Sequence, residues 1–292
     1  MARSVSIVGA GRLGRTLGRR LRRLGWRIGS VVTRSAASAR AAVRSIGAGT
    51  PYSTLTREVI DADVILLVTP DDALADAARK LASVAGRSCR GKVVLHASGA
   101  LDSSVLWPLA RCGAAVGSIH PMQTFTKRSQ PSLKGVIFAV EGEPRALRMA
   151  SGIARILGGV PVIVTSSNKP SYHAAGTLVA GHALALTEAA AQVLIEIGFT
   201  RRHAVQTLMP LMRQMLDNFE KYGPRAAWTG PTARGDYATV KKHRDALRHH
   251  PHEFGDSYAT LVRLSARVLT KNPAQTLKQL DRALKNSRRN QK

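Results

Sequence analysis

Ser4-Val5-Ser6-Ile7-Val8 runs into Gly9-Ala10-Gly11-Arg12-Leu13-Gly14, and a leucine-periodic segment follows. A short apolar strand feeding a Gly-x-Gly-x-x-Gly turn that opens a helix is how a dinucleotide's pyrophosphate is usually held. In that arrangement Gly9 allows the tight turn, Gly11 lets phosphates approach bare backbone, and Gly14 lets helix and strand pack closely. The helix N-terminus adds unpaired N–H groups and a partial positive charge. The helix is expected to reach about Leu24, with Leu13, Leu17, Leu21 and Leu24 on one face and most arginines turned away. Gly25 ends it, and residues 26–32 read as the second strand.

The residues after that strand speak to which dinucleotide. An NAD site places an acid about 20 residues beyond the glycines, on the ribose 2′-hydroxyl. Here the place is filled by Thr33-Arg34-Ser35, without an acid. Arginine pairs with a 2′-phosphate, and threonine and serine hydroxyls donate beside it. The triplet therefore favours NADP; NAD stays open, since Arg34 is also one arginine among many. The expected cofactor contacts are Gly9, Ala10, Gly11, Arg12, Leu13, Gly14, Thr33, Arg34 and Ser35, joined by Val68, Thr69, Pro70, His96 and Ser98 from later strand ends.

Strand and helix alternate through the first half. Residues 62–68 form a continuous apolar run, as in a parallel strand covered on both faces. Thr69-Pro70-Asp71-Asp72 then starts a helix, and further strands are expected at 92–96, 114–120, 135–140 and 160–164, with a helix at 145–157 before the last. Such repeated units imply an α/β fold, a doubly wound and mostly parallel Rossmann sheet. After residue 166 strand patterning stops. One long helix is expected over 170–197, rich in alanine and glycine, then a helix capped by Thr200 and bending at Pro210. Others are expected near 237–248, 254–270 and 274–286. The reading is a cofactor domain at 1–166 and an all-helical substrate and dimerisation domain at 167–292.

Composition narrows the function classes. At 292 residues the chain can bury two cores. No unbroken run reaches the ~18 apolar residues of a membrane span, and the first apolar stretch is a strand rather than a signal peptide. Cys89 and Cys112 have no metal-type spacing, which points to a reduced cytoplasm. A formal net charge of +26 would suit a nucleic-acid binder. Against that, the charge is mostly arginine spread along helix faces, aromatics are only 4%, and no nucleic-acid module is recognisable. The basic run at 285–292 reads as a solvated tail.

Ligands of an open parallel sheet bind beyond the carboxyl ends of its strands. Three polar turns belong there: Thr69-Pro70-Asp71, His96-Ala97-Ser98-Gly99 and His120-Pro121-Met122-Gln123. The imidazole of His120 can exchange a proton near neutral pH, or can merely bond neighbouring backbone. Lys169-Pro170-Ser171-Tyr172-His173 opens the long helix, with His173 and Thr177 on one face. His173 is the second catalytic candidate, and Lys169 and Thr177 are candidate substrate contacts; in the alternative, Lys169 is a solvated charge and His173 an interface group. The turn at 228–236 can present Arg234 to an anionic substrate, while Asp236 stands where a helix N-cap belongs. His243, His249, His250 and His252 lack nearby cysteines or paired acids, and no metal site is expected. There is no Ser-His-Asp elbow and no P-loop.

Taken together, the chain resembles a bacterial Rossmann-like oxidoreductase family whose helical second half is a domain of unknown function. The matching pieces are Gly9 to Gly14, Val68-Thr-Pro-Asp71, His96-Ala-Ser-Gly99, Gly117-Ser-Ile-His-Pro-Met122, Tyr172-His-Ala-Ala175 and Thr229-Gly-Pro-Thr-Ala-Arg-Gly-Asp236. The wider group includes pyrroline-5-carboxylate reductase, deazaflavin-dependent NADP reductases, prephenate dehydrogenase and 6-phosphogluconate dehydrogenase. That resemblance implies NAD(P) binding by the first domain and a helical second domain that builds a homodimer and the substrate pocket. The stretch ending His120-Pro121-Met122 is similar to one in prephenate dehydrogenases whose histidine contacts substrate. Gly181-His182 departs from the Ser-Asn often found in the family's long helix. The function expected is NADP-preferring hydride transfer to or from a small anionic metabolite. A non-catalytic NADP-binding protein is the alternative, and nucleic-acid binding a further one.

Overall fold

The computed structural model describes residues 3–126 and 131–285. The basic tail lies outside them beyond Lys285. The chain divides into two compact units, Met1–His182 and Ala183–Lys292.

Among the described residues the first unit carries one eight-stranded sheet. Its strands are β1 (Ser4–Val8), β2 (Arg27–Val32), β3 (Thr50–Tyr52), β4 (Val64–Leu67), β5 (Val93–His96), β6 (Ala115–Pro121), β7 (Ile137–Gly142) and β8 (Val160–Ile163). They lie in the order β3-β2-β1-β4-β5-β6-β7-β8. Every pairing is parallel except the antiparallel β6–β7 pair. The unit's helices are α1 (Arg12–Arg23), α2 (Ala36–Ile46), α3 (Asp71–Ala85), α4 (Trp107–Arg111), α5 (Pro144–Ile156) and α6 (Lys169–Thr177).

Side-chain alternation explains the two-sided core. Val64 and Leu66 of β4 join a cluster with Leu17, Leu21, Ile46 and Ile153 from α1, α2 and α5. Their neighbours Ile65 and Leu67 point the other way, onto Leu74, Leu81 and Leu109 of α3 and α4. Strand β3 and helix α2 were not expected from the sequence. The first is a three-residue edge strand containing Pro51, where a missing N–H costs no ladder bond. Helix α2 is opened by Ser35, whose Oγ accepts from the Ser38 N–H at 3.2 Å. Several α1 arginines spend their donors on backbone carbonyls: Arg15 on Ala10 at 2.9 Å, Arg19 on Ser45 at 2.9 Å and Arg20 on Pro131 at 2.7 Å.

The second unit is helical throughout its described residues: α7 (Ala183–Glu196), α8 (Arg201–Tyr222), α9 (Pro224–Ala227), α10 (Tyr237–Ala246), α11 (His252–Leu269) and α12 (Pro273–Lys285). The last three gather around Val240, Val262, Ala266, Leu280 and Leu284. Thr200 caps α8 by accepting from the His203 N–H at 3.2 Å, and Asp236 caps α10 by accepting from the Thr239 N–H at 3.1 Å. The helix expected over 170–197 is interrupted by a π-helical stretch at Leu178–His182.

Helical residues Ser166–Glu196 are long and apolar enough, by length and composition, to cross a membrane, their most apolar 18-residue window having a mean hydropathy of 1.5. A search for unbroken apolar runs passes over them, because Gly, Ser, Thr and His punctuate the stretch. Only 6% of that window is buried. Much of α8 is equally bare, with Leu211 69%, Leu216 52% and Phe219 54% exposed.

Candidate functional site

The glycine turn has the stereochemistry an anion cradle needs. Gly9 sits at φ +87°, and a Cβ there would lie 2.6 Å from the Thr69 backbone nitrogen, so the β1 and β4 turns press together. A Cβ at Gly14 would lie 2.9 Å from the Gly9 carbonyl oxygen and 3.3 Å from Ile7 Cγ2, which fixes α1 against β1. At Gly11 the nearest atom would be 4.0 Å away, leaving its face open. Helix α1 starts there with no side-chain cap and no acid in its first turn. Nearby, Thr69 Oγ1 is buried with no hydrogen-bond partner. Uncapped N–H groups, an open glycine face and an orphaned hydroxyl fit a bound dinucleotide pyrophosphate. Ala10 itself turns its methyl into the core at 2% exposure, so only its backbone can serve a ligand. Leu13 packs partly on the same core, Arg12 donates to the Phe125 carbonyl at 3.3 Å, and Pro70 is exposed.

At the end of β2, Arg34 is exposed. The two hydroxyls expected beside it are engaged inside the turn. Thr33 Oγ1 donates to the Ser35 carbonyl at 3.0 Å, and Ser35 Oγ donates to Ser38 Oγ at 3.0 Å while capping α2. In this arrangement both hydroxyls shape the loop that carries the guanidinium.

Beyond β4, β5 and β6 lies a polar cluster. His96 is fully buried, its Nδ1 accepting from the Ser98 N–H at 3.1 Å and its Nε2 3.1 Å from the Asp102 carbonyl oxygen. Burial, and next the Lys169 ammonium, push this imidazole down to about 3, so it is neutral and donates from Nε2. With both nitrogens on backbone, its side chain cannot also touch a cofactor; it holds the turn that presents Ser98. Ser98 Oγ donates to Asp71 at 2.8 Å and accepts from the Leu101 N–H at 2.9 Å.

Lys169, at the start of α6, is the surprise of this region. A solvated charge was one expectation and a substrate contact the other, yet it is 1% exposed. Its Nζ donates to the Ser98 carbonyl at 3.1 Å and to Ser118 Oγ at 2.8 Å, tying the β5 turn to β6. Burial lowers its pKa from the ordinary lysine range, while the Glu141, Asp102 and Asp71 carboxylates pull it back up. Glu141 of β7 extends the network, accepting from the Ser103 N–H at 2.9 Å, from Ser103 Oγ at 2.6 Å and from Ser118 Oγ at 3.3 Å. Glu141 and Ser118 were not singled out in the sequence. The available signal was an acid closing the apolar run Ile137-Phe-Ala-Val140.

His120 stands beside this network, partly buried at the end of β6. Its Nδ1 is 3.2 Å from Tyr172 Oη, and that phenol donates to the His120 carbonyl at 3.4 Å. Tyr172 thus engages the Nδ1 side of the ring, and Nε2 is the nitrogen the phenol leaves open. His173 meets the ring edge-on, centroids 5.7 Å apart. Gly99 lies under both rings: a Cβ there would be 2.8 Å from His120 Nε2 and 2.5 Å from His173 Cδ2. Burial, then His173 and Lys169, push His120 down to about 4, and burial pushes the Tyr172 phenol up to about 12.

The first unit thus brings His96, Ser98, His120, Lys169, Tyr172 and His173 together. Thr177, a turn beyond His173, is exposed and bonds back to the His173 carbonyl at 3.1 Å. Arg234 belongs to the second unit. There His243 Nδ1 is 3.0 Å from Tyr258 Oη and His250 Nδ1 3.1 Å from a Glu196 carboxylate oxygen. Among the described residues no group of three or more His, Cys, Asp or Glu could hold a metal ion.

No curated protein matches the sequence. Among solved structures, a provisionally assigned NADP oxidoreductase from Bacteroides fragilis is similar at a TM-score of 0.76 and 24% identity, covering 90% of this chain and 97% of its own. An imine reductase from a Pseudomonas species has a TM-score of 0.64 and 19% identity, over 96% and 100% of the two chains. A reductive aminase from Aspergillus terreus, solved with NADPH and ethyl-5-oxohexanoate, has a TM-score of 0.66 and 15% identity, over 91% and 94%. At these identities the likeness establishes a fold. Residues 1–121 match the Rossmann-like domain family, and residues 136–265 match DUF2520, a domain of unknown function. The chain therefore joins a Rossmann-like match over residues 1–121 to a DUF2520 match over residues 136–265, on a fold shared with these solved structures.

Proposed function

We propose that the protein is an NADP(H)-dependent oxidoreductase acting on a small anionic metabolite, with His120 exchanging the substrate proton. The observation that carries this reading is the His120–Tyr172 pair standing beyond the strand ends of a sheet whose glycine turn fits a dinucleotide. Residues 1–166 hold the cofactor in this account, through the Gly9–Gly14 backbone, the α1 N-terminus, Val68, Thr69, Pro70 and Ser98, with Arg34 on the 2′-phosphate. Bound nicotinamide supplies or accepts the hydride.

The protein's own groups handle the proton. His120 Nε2 takes it from a hydroxyl or amine as the substrate is oxidised and returns it in reduction, while Tyr172 engages the ring through Nδ1. Desolvation and neighbouring positive charge keep the free imidazole neutral. An anion bound alongside would offset that charge and lift the pKa towards the working range, which is why the substrate is read as anionic. His173, exposed beside His120, is the second group placed to meet substrate, and Thr177 flanks it. Lys169 acts through Ser98 and Ser118 as a positioning residue. Free Cys89 and Cys112 suit a cytoplasmic setting. The bare apolar surface of α7 and α8 suits a homodimer formed through the helical unit.

Cofactor oxidation measured against a panel of keto and imino acids tests the proposal. Turnover should appear with an acid-bearing substrate, and His120→Gln should lower it at least about 100-fold with NADPH binding intact. A His120→Gln enzyme at full rate would remove the proton-transfer role.

A further inference from the structure

The second unit has a pocket of about 450 Å³ that is broadly open to solvent. Its lining includes Arg225, Trp228, Arg234, Tyr237, Lys271 and Asn272. The turn at 229–236 is braced by its own backbone: the Asp236 N–H donates to the Pro231 carbonyl at 2.9 Å and the Gly235 N–H to Thr232 at 3.2 Å. Arg234 therefore rides on a pre-formed loop. Also in the lining, Asn272 Oδ1 accepts from the Gln275 N–H at 3.3 Å just before α12, with Lys271 preceding it.

Three cations line this space, and none of them forms an ion pair among the described residues. The nearby acid is Asp236, which feels Arg234 as a charge but is committed to capping α10. Two half-buried aromatic rings, Trp228 and Tyr237, share the lining. All three cations are exposed, so water screens them in the free protein, and an anion entering the pocket would meet charge-assisted donors from two guanidinium forks and an ammonium. Indole and phenol faces add the surface on which a flat ring packs.

We propose that this cavity binds a ring-bearing phosphate monoester, the phosphate between Arg225, Arg234 and Lys271 and the ring against Trp228. The inference rests on the cavity alone and stands whether or not the first unit binds NADP(H).

Calorimetric titration of the full chain with phenyl phosphate, inorganic phosphate and benzoate is the test, with thermal melts confirming that each variant folds. Phenyl phosphate should bind at least about tenfold more tightly than either fragment. Arg234→Gln and Lys271→Gln should each weaken it at least about tenfold, Trp228→Leu should erase its advantage over inorganic phosphate, and Arg34→Gln should leave it unchanged. If Arg234→Gln fails to fold, Lys271→Gln and Arg225→Gln carry the same expectation. No phenyl phosphate heat at millimolar concentration overturns the proposal. So does unaltered affinity in the folded cavity variants, or a loss confined to Arg34→Gln, which would put the binding in the cofactor cleft.

Discussion

Replacing Lys169 with methionine keeps most of the apolar stem and removes one buried ammonium. Two hydrogen bonds disappear, to the Ser98 carbonyl at 3.1 Å and to Ser118 Oγ at 2.8 Å. Hydrogen bonds to a charged group contribute about 1.5–3 kcal/mol each, so their loss alone would cost about 3–6 kcal/mol. Relief from burying the charge offsets part of this, whereas leaving Glu141 without its cationic neighbour adds to it. The net expectation is a destabilisation of about 3 kcal/mol in the first unit. Urea denaturation followed through the buried Trp26 of that unit measures it. Removing the like charge should also raise the His120 titration seen by NMR. A change below about 1 kcal/mol, with His120 unmoved, would show that Lys169 does not bind the β5 turn to β6 as described.

Acid should weaken the first unit before its carboxylates titrate. His96 and His120 sit at about 3 and about 4 against an ordinary value of 6.5, so below 6.5 the unfolded chain takes up protons that the folded chain refuses. Stability is therefore lost as pH falls from 6.5 towards 4, by up to about 1.4 kcal/mol per pH unit for each histidine, and melts across that range in His120→Gln should flatten. Gly99→Ala should force the His120 and His173 rings apart at a cost of about 1–3 kcal/mol, cut turnover about 100-fold and spare NADPH binding. Leu211→Glu with Phe219→Glu should convert a dimer to monomer by light scattering without unfolding the first unit.

Much of this architecture is readable from local pattern. Apolar runs at β4 and β5 and the strand–glycine–helix opening depend on side-chain period and turn stereochemistry, both written within a few residues. Thr200 and Asp236 announce helix starts by the same local logic. Lys169 shows where that reading stops. Its sequence neighbours are polar, and only the meeting of α6 with the β5 turn and β6 buries it. Its partners Ser98 and Ser118 are 71 and 51 residues away. Glu141 escaped notice for the same reason, as did Tyr172's place on His120, set by contact across 52 residues. Thr33 and Ser35 were legible as polar groups after β2, but the loop that engages the Thr33 hydroxyl and the α2 start capped by Ser35 were not.

The most direct test of the central claim is a fluorescence titration of the purified chain with NADPH and NADH. Saturable binding of both, tighter for NADPH and with that preference lost in Arg34→Gln, is the expected result. If neither nucleotide binds, the assignment of the Gly9–Gly14 turn as a dinucleotide cradle is contradicted, and with it the proposed oxidoreductase function.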